Sequence, residues 1–196
     1  MANRVFFSFD YEDVRDFRAN VVRNHWVTKE GRDDAAYFDA SIWEEARTKG
    51  DLALKRLINS SLEGTTATCV LIGSSTYSRR WVKYEILKSI ERGNGVFGVH
   101  INSIIDRYRA TKTLGRNTFA FLGVQFSQDG TKAHPTEQNN SQWTWYNDLE
   151  PFSIAKAPQA KIGKHYPLTE FYQVYDWVTQ DGYSNFAGWL ERSLPS

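Results

Sequence analysis

Thr66–Glu91, TATCVLIGSSTYSRRWVKYEILKSIE, changes its period in the middle. The first seven residues, TATCVLI, are an unbroken apolar and β-branched run, the pattern of a strand buried on both faces. Gly73-Ser74-Ser75-Thr76 breaks the run, and a helical spacing follows. At about 100° per residue, Ser78, Trp81, Val82, Glu85 and Ser89 share one side, and Val82, Ile86 and Ile90 make the neighbouring apolar stripe. Gly93-Asn94-Gly95 ends the helix, and Val96–Ile101, VFGVHI, is the next buried strand. A buried strand, a helix and a second buried strand make a βαβ unit, with parallel strands and a right-handed crossover.

The chain upstream repeats this rhythm. Arg4–Phe9, RVFFSF, reads as a buried strand that ends in the polar helix start Asp10-Tyr11-Glu12-Asp13. Val14, Phe17, Val21 and Val22 are spaced as one helical face, and His25–Arg32 reads as a polar loop. Ala36–Trp43 is ambiguous; Phe38 is a candidate centre for a short strand, with Asp39 at its carboxyl end. Lys49-Gly50-Asp51 opens a helix carrying Leu54, Leu57, Ile58 and Leu62, and Gly64 stops it. Strands alternating with helices predict an α/β fold, a flavodoxin-like parallel sheet flanked by helices. Such sheets bind ligands at the carboxyl ends of their strands. Here those ends are Ser8-Phe9-Asp10, Asp39–Trp43, Gly73–Ser78 and Asn102-Ser103.

The rhythm stops at residue 104. Asp129-Gly130 is a hairpin turn signal between Val124–Ser127 and Lys132–His134, and Gln142–Tyr146 alternates like a half-exposed strand. We read one domain over 1–196: a core at 1–103, a β-ribbon and loop insertion at about 104–160, and C-terminal helices at about 167–194. The first of those helices is expected over Leu168–Val178, LTEFYQVYDWV, and the last over Ser184–Leu194.

Composition narrows the function classes. The 196 residues carry a net charge of +1 and no basic patch with interleaved aromatics, so nucleic-acid binding is not implied. No window has the eighteen or so apolar residues of a membrane span, and no signal peptide opens the chain, so a cytoplasmic location is expected. The one cysteine, Cys69, lies inside a strand and reads as an inert core thiol. Asp10 and Asp39 at strand ends suggest a magnesium pair, but the later strand ends His100-Ile101-Asn102 without the lysine such sites use, and the four histidines lack zinc spacing. No metal or cofactor is expected.

Glu85 is the carboxylate to explain. It lies at the border of the buried face, one turn after Trp81. The ordinary alternative is a solvated glutamate paired with Lys88. Ser74, Ser75, Thr76 and Ser78 add hydroxyls at the same sheet edge, where a helix N-terminus attracts anions; capping by Ser75 or Ser78 is the plainer reading.

The residues also carry a family resemblance. RVFFSFDYEDVRDF resembles the opening strand, loop and helix of TIR (Toll/interleukin-receptor) domains, and Ser78–Glu85, SRRWVKYE, resembles their S-x-x-W-x-x-x-E motif. More closely, RVFFSF, VVRNHWV, FDASIWE, ALKRLIN, TCVLIG and YDWV resemble the small TIR-like proteins of the bacterial Thoeris anti-phage defence system, nearly end to end. The resemblance implies an enzyme for which NAD is the substrate. It would release nicotinamide and join the ADP-ribose to itself as a cyclic ADP-ribose isomer. That diffusible signal activates a partner Thoeris NADase, and a phage component is the trigger. A homo-oligomer is compatible with this scheme, and no nucleic-acid or membrane partner is expected.

By the same resemblance Glu85 is the catalytic carboxylate, and Trp81 and Phe9 flank the ribose or nicotinamide. Ser8 and Asp10 bind hydroxyls or phosphates. Asp39, Trp43 and Ser74 complete the substrate edge, and the aromatic ribbon around Trp143–Tyr146 helps exclude water. Arg79, Arg80 and Val82 depart from the residues usual within the motif. A non-catalytic TIR scaffold and a nucleoside deoxyribosyltransferase-like enzyme are the alternatives.

Overall fold

The computed structural model describes residues 3–11, 13, 17–28, 40–106 and 108–195. Along the chain the elements are β1 (Val5–Phe9), α1 (Arg18–Val27), α2 (Ala40–Thr48), α3 (Asp51–Ser61), β2 (Ala67–Ile72), α4 (Arg80–Glu91) and β3 (Gly95–His100). There follow β4 (Leu122–Phe126), β5 (Lys132–Asn139), β6 (Gln142–Trp145), β7 (Phe152–Ser153), β8 (His165–Pro167), β9 (Val174–Asp176) and α5 (Gly182–Ser193). Short 3-10 turns fall at Thr76–Ser78, Thr118–Phe121, Gln159–Lys161 and Leu168–Glu170. Among the described residues no helix is long and apolar enough to cross a membrane.

Two sheets form. The first is parallel, in the order β1-β2-β3-β9, and the second is antiparallel, in the order β6-β5-β4-β8 with β7 also paired to β5. The parallel sheet is the expected α/β core, and the antiparallel one is the expected ribbon. In the parallel sheet, Phe7 pairs with Cys69 and Cys69 with Phe97, so the central strands run in register.

Side chains alternate across a strand, which sorts the core into two halves. Phe6, Val70, Ile72 and Val96 face one way and pack with Ile58 of α3, Val82, Ile86 and Leu87 of α4, and Val124, Phe126 and Ala133 of the ribbon. Val5, Phe7, Ala67, Cys69, Leu71, Phe97 and Val99 face the other way, against Ala19, Val22 and Trp26 of α1 and Phe186, Trp189 and Leu190 of α5. Cys69 is a free, buried thiol in that second half.

Several elements differ from expectation. Helix α1 starts later and runs further. Phe17 has φ 67 and is 51% exposed, so it precedes the helix instead of joining its apolar face. Val14 lies outside the described residues. His25, Trp26 and Val27, expected in a loop, are helical because Ala19, Val22 and Trp26 repeat at i, i+3 and i+7 and dock on Phe186, whose ring centroid is 5.3 Å from that of Trp26. Phe38 and the strand expected around it lie outside the described residues, and Trp43 sits on helix α2.

The largest correction is Leu168–Val178, which is not a helix. It makes one 3-10 turn and then becomes β9, pairing Val174 with Gly98 and Asp176 with His100. Tyr175 stacks on Trp189 with the ring planes 3° apart and the centroids 4.5 Å apart. Val178, expected on an apolar helical face, is exposed. A free edge on β3 offers a ladder of backbone hydrogen bonds, and that outweighs a helical spacing built from aromatic and β-branched residues. The parallel sheet is therefore completed from beyond the ribbon, past the expected core at 1–103.

Candidate active site

The alternation that sorts the core also aims Ser8. It shares the face of Phe6, so its side chain points toward α4, as does that of Thr68. Ser8 Oγ donates a short hydrogen bond to Glu85 Oε2. One turn along α4, Ser89 Oγ donates to the Glu85 carbonyl at 2.6 Å and meets Thr68 Oγ1 at 2.7 Å, which locks the helix to the sheet. Glu85 is 4% exposed and Ser8 1%. Burial pushes the Glu85 carboxyl up from its ordinary 4.5 to about 8, against the opposing pull of the Ser8 hydrogen bond. Lys88, the partner expected for a solvated Glu85, pairs instead with Glu91.

Glu85 lines a cavity of about 330 Å³ with Phe7, Phe9, Asp10, Tyr11, Trp43, Glu44, Arg47, Arg79, Arg80, Trp81 and Val82. The cavity lies at the carboxyl end of β1, where an open parallel sheet binds its ligands. Its rings offer stacking faces, and Glu85 and Asp10 are its two buried carboxyls, of which Asp10 is paired with Arg79. The Arg80 guanidinium lies 4.7 Å from the centre of the Trp81 ring, a cation–π contact that holds the indole.

Arg80 is itself anchored from outside. Its Nε and Nη2 donate to the two oxygens of Asp148 at 2.7 and 2.8 Å, and Nη2 also lies 2.8 Å from Asp51. Donation from Arg80 holds the Asp148 carboxyl down at about 2. Lys55 meets the same carboxylate at 3.1 Å. Lys83 is 8% exposed and pairs with Glu137 of β5 at 2.8 Å, and Tyr146 donates to the Arg80 carbonyl at 3.3 Å. The ribbon is thus bonded to the helix that carries Trp81 and Glu85.

Of the expected site residues, Phe9, Asp10, Trp43, Trp81 and Glu85 meet at the cavity, and Ser8 stands behind Glu85. Ser74 does not line it: its hydroxyl donates to the Thr113 carbonyl at 3.0 Å and accepts from Asn102 Nδ2 at 3.1 Å. Asp39 lies outside the described residues. Neither Ser75 nor Ser78 caps α4. The residue before that helix is Arg79, with no side-chain cap, and Ser78 Oγ donates to the Ser75 carbonyl at 2.8 Å. Trp143 and Trp145 do not line the cavity either; they lie against His165 and His134 on the ribbon, at 4.4 and 5.6 Å between ring centroids.

Tyr11, Glu44, Arg47 and the two arginines of the motif were not singled out as wall residues from sequence. Arg47 follows Trp43 by four, so a helical reading of 40–48 would have put both on one side. Among the described residues no group of three or more His, Cys, Asp or Glu could hold a metal ion.

A buried glutamate one turn after a tryptophan, on the helix after the second described strand, is the Trp-to-Glu spacing of the motif. The motif's serine, Ser78, bonds to the Ser75 carbonyl, and it is Ser8 that meets Glu85. The family model described as Thoeris protein ThsB, TIR-like domain, matches residues 6–105. The chain belongs to the Thoeris ThsB TIR-like family. A protein of Bacillus cereus (strain MSX-D12), provisionally named cyclic ADP-D-ribose synthase ThsB1, is 54% identical over 191 residues, which is 97% of this chain and 100% of that relative. The match to the ThsB model ends at residue 105, but the Bacillus relative aligns across the ribbon, β9 and α5 as well.

Proposed function

We propose that this chain cleaves the N-glycosidic bond of NAD, releases nicotinamide, and closes the remaining ADP-ribose on itself into a cyclic ADP-ribose isomer. That product is the diffusible signal that activates a partner NADase in Thoeris defence, made in the cytoplasm when a phage component triggers it. The observation that carries this reading is Glu85, a buried carboxyl in the wall of an aromatic-lined cavity, bonded to Ser8 at the end of β1. The name of the Bacillus relative supports it.

The chemistry follows from charge. The nicotinamide ring of NAD is a cation, so when its bond to the ribose C1′ breaks, the electron pair leaves with the ring nitrogen as a neutral base. No strong general acid is needed. Positive charge passes to the ribose as an oxocarbenium ion, and a carboxylate beside it is the largest stabilisation the site can give. Burial, which pushes the Glu85 carboxyl up to about 8, favours its protonated form near neutrality. A cationic ring within ~4–6 Å favours the ionised form, so substrate binding itself charges the catalytic group. Ser8 then donates to the charged oxygen, and Trp81 and Phe9 wall the reacting ribose. A nucleophilic atom of the same ADP-ribose captures C1′ and loses its proton to water. Ring closure instead of hydrolysis requires a wall that keeps bulk water out.

Transfer of small molecules from infected cells tests this. Filtrates from cells carrying the wild-type chain should activate the partner NADase, and filtrates from cells carrying Glu85→Gln should not. A wild-type filtrate with no activity, or equal activity from the two, would sink the reading. The same variant separates an enzyme from a scaffold, because a near-isosteric amide leaves any assembly surface intact.

A further inference from the structure

Arg79 and Arg80 are adjacent in sequence and differ in what they bond. Arg80 is committed to Asp148 and Asp51. Arg79 gives Nε to Asp10 at 2.6 Å, and its two terminal nitrogens make no hydrogen bond among the described residues. Asp10 is 8% exposed, so it fixes the guanidinium at the cavity wall, while the Arg79 side chain itself remains 43% exposed. Arg47 reaches the same cavity from α2. Its pair with Glu44, at 2.8 Å, has both side chains at least half exposed, and such surface pairs are weak and easily exchanged.

Glu85 and Phe7 belong to the buried part of the lining, and the two forks, with the Tyr11 ring, to its exposed part. A cavity of about 330 Å³ is of a size for a nucleoside-sized piece of a dinucleotide. With nicotinamide and its ribose at Glu85, the next group outward is the diphosphate. Guanidinium N–H groups match phosphate oxygens in pairs, which a lysine cannot reproduce.

We propose that Arg79, aimed by Asp10 and joined by Arg47, forms a diphosphate subsite at the mouth of the Glu85 cavity, so that the site selects nucleoside diphosphate conjugates over bare nucleosides. This rests on the reading of the cavity as an NAD site and names residues within it. Asp10 acts through Arg79 and is a positioning residue.

Calorimetric titration of the Glu85→Gln chain with ADP-ribose, which carries the diphosphate, and with nicotinamide riboside, which lacks it, tests the subsite. Adding Arg79→Met should weaken ADP-ribose about tenfold and change nicotinamide riboside less than about twofold. Arg79→Lys should restore part of the loss, and Arg47→Met should give a smaller loss of the same kind. Retained riboside affinity shows that the cavity is still formed. Unchanged ADP-ribose affinity overturns the proposal, and so does an equal loss for both ligands. The filtrate assay reads the reaction separately: a chain that fails it but discriminates through Arg79 keeps the subsite and loses the reaction.

Discussion

Glu85→Gln should make the protein more stable, and by an amount that depends on pH. The folded carboxyl titrates near 8, against an ordinary value of 4.5. Between those two values the folded chain holds a proton that the unfolded chain has released, so stability falls as pH rises through the window. The contribution of neutral Glu85 is fully present below 4.5 and is lost as pH climbs to about 8. Each pH unit inside the window costs about 1.4 kcal/mol, which puts the penalty at roughly 3 kcal/mol at pH 7. Gln keeps the shape and still accepts from Ser8, but it does not titrate. The two proteins should therefore unfold alike near pH 4, diverge steadily, and run parallel again above about pH 8. At pH 7 the variant should melt about 6–12 °C higher, taking ~2–4 °C per kcal/mol for a chain of this size. Urea unfolding of both proteins at intervals from pH 4 to pH 9 measures the difference directly. An offset that does not change with pH would refute the buried-carboxyl account, since a constant difference has no proton in it.

Ser8→Ala removes the one side-chain donor to the Glu85 carboxyl among the described residues, so the rising limb of a pH–rate profile for nicotinamide release should move up by about 1–2 units, the worth of one hydrogen bond to a charged group. A profile that merely drops in height would show that the serine does not tune the carboxyl. Arg18→Met should cost ~2–4 kcal/mol in urea unfolding, because buried Arg18 donates to the Ile104 carbonyl at 2.9 Å and the Ala110 carbonyl at 2.7 Å and both would lose a partner. A loss below about 1 kcal/mol would mean that the loop re-pairs without it.

The parallel sheet was readable wherever a strand is buried on both faces. RVFFSF, TATCVLI and VFGVHI have no polar face to confuse with a helix, and all three form strands. LTEFYQVYDWV misled because Leu168, Phe171, Tyr172 and Tyr175 fit a helical face; what makes 174–176 a strand is the unpaired edge of β3, about 75 residues earlier. The border position of Glu85 was legible, but position alone favoured a solvated pair with Lys88; only the motif pointed elsewhere, and the structure buries the carboxyl and pairs Lys88 with Glu91. The serine partner of Glu85 was not legible, because no local pattern says that residue 8 on one strand faces residue 85 on a helix; only the pleat of β1 does. The arginines were visible as departures from the motif, but both line the cavity, and what sets them apart is their partners, Asp148 for Arg80 and Asp10 for Arg79, which lie far off in sequence.

The closing strand has a consequence in time. β3 waits for β9, whose partner residue Val174 follows Gly98 by about 75 positions. At the ~5–20 residues per second of synthesis, the ribosome spends several seconds on the intervening stretch. Throughout that interval the nascent chain has helix α4 but lacks the outer strand of its sheet and the α5 layer that covers it. Until Val174–Asp176 emerges the edge of β3 stays open, so the parallel sheet closes only after the whole ribbon has been made.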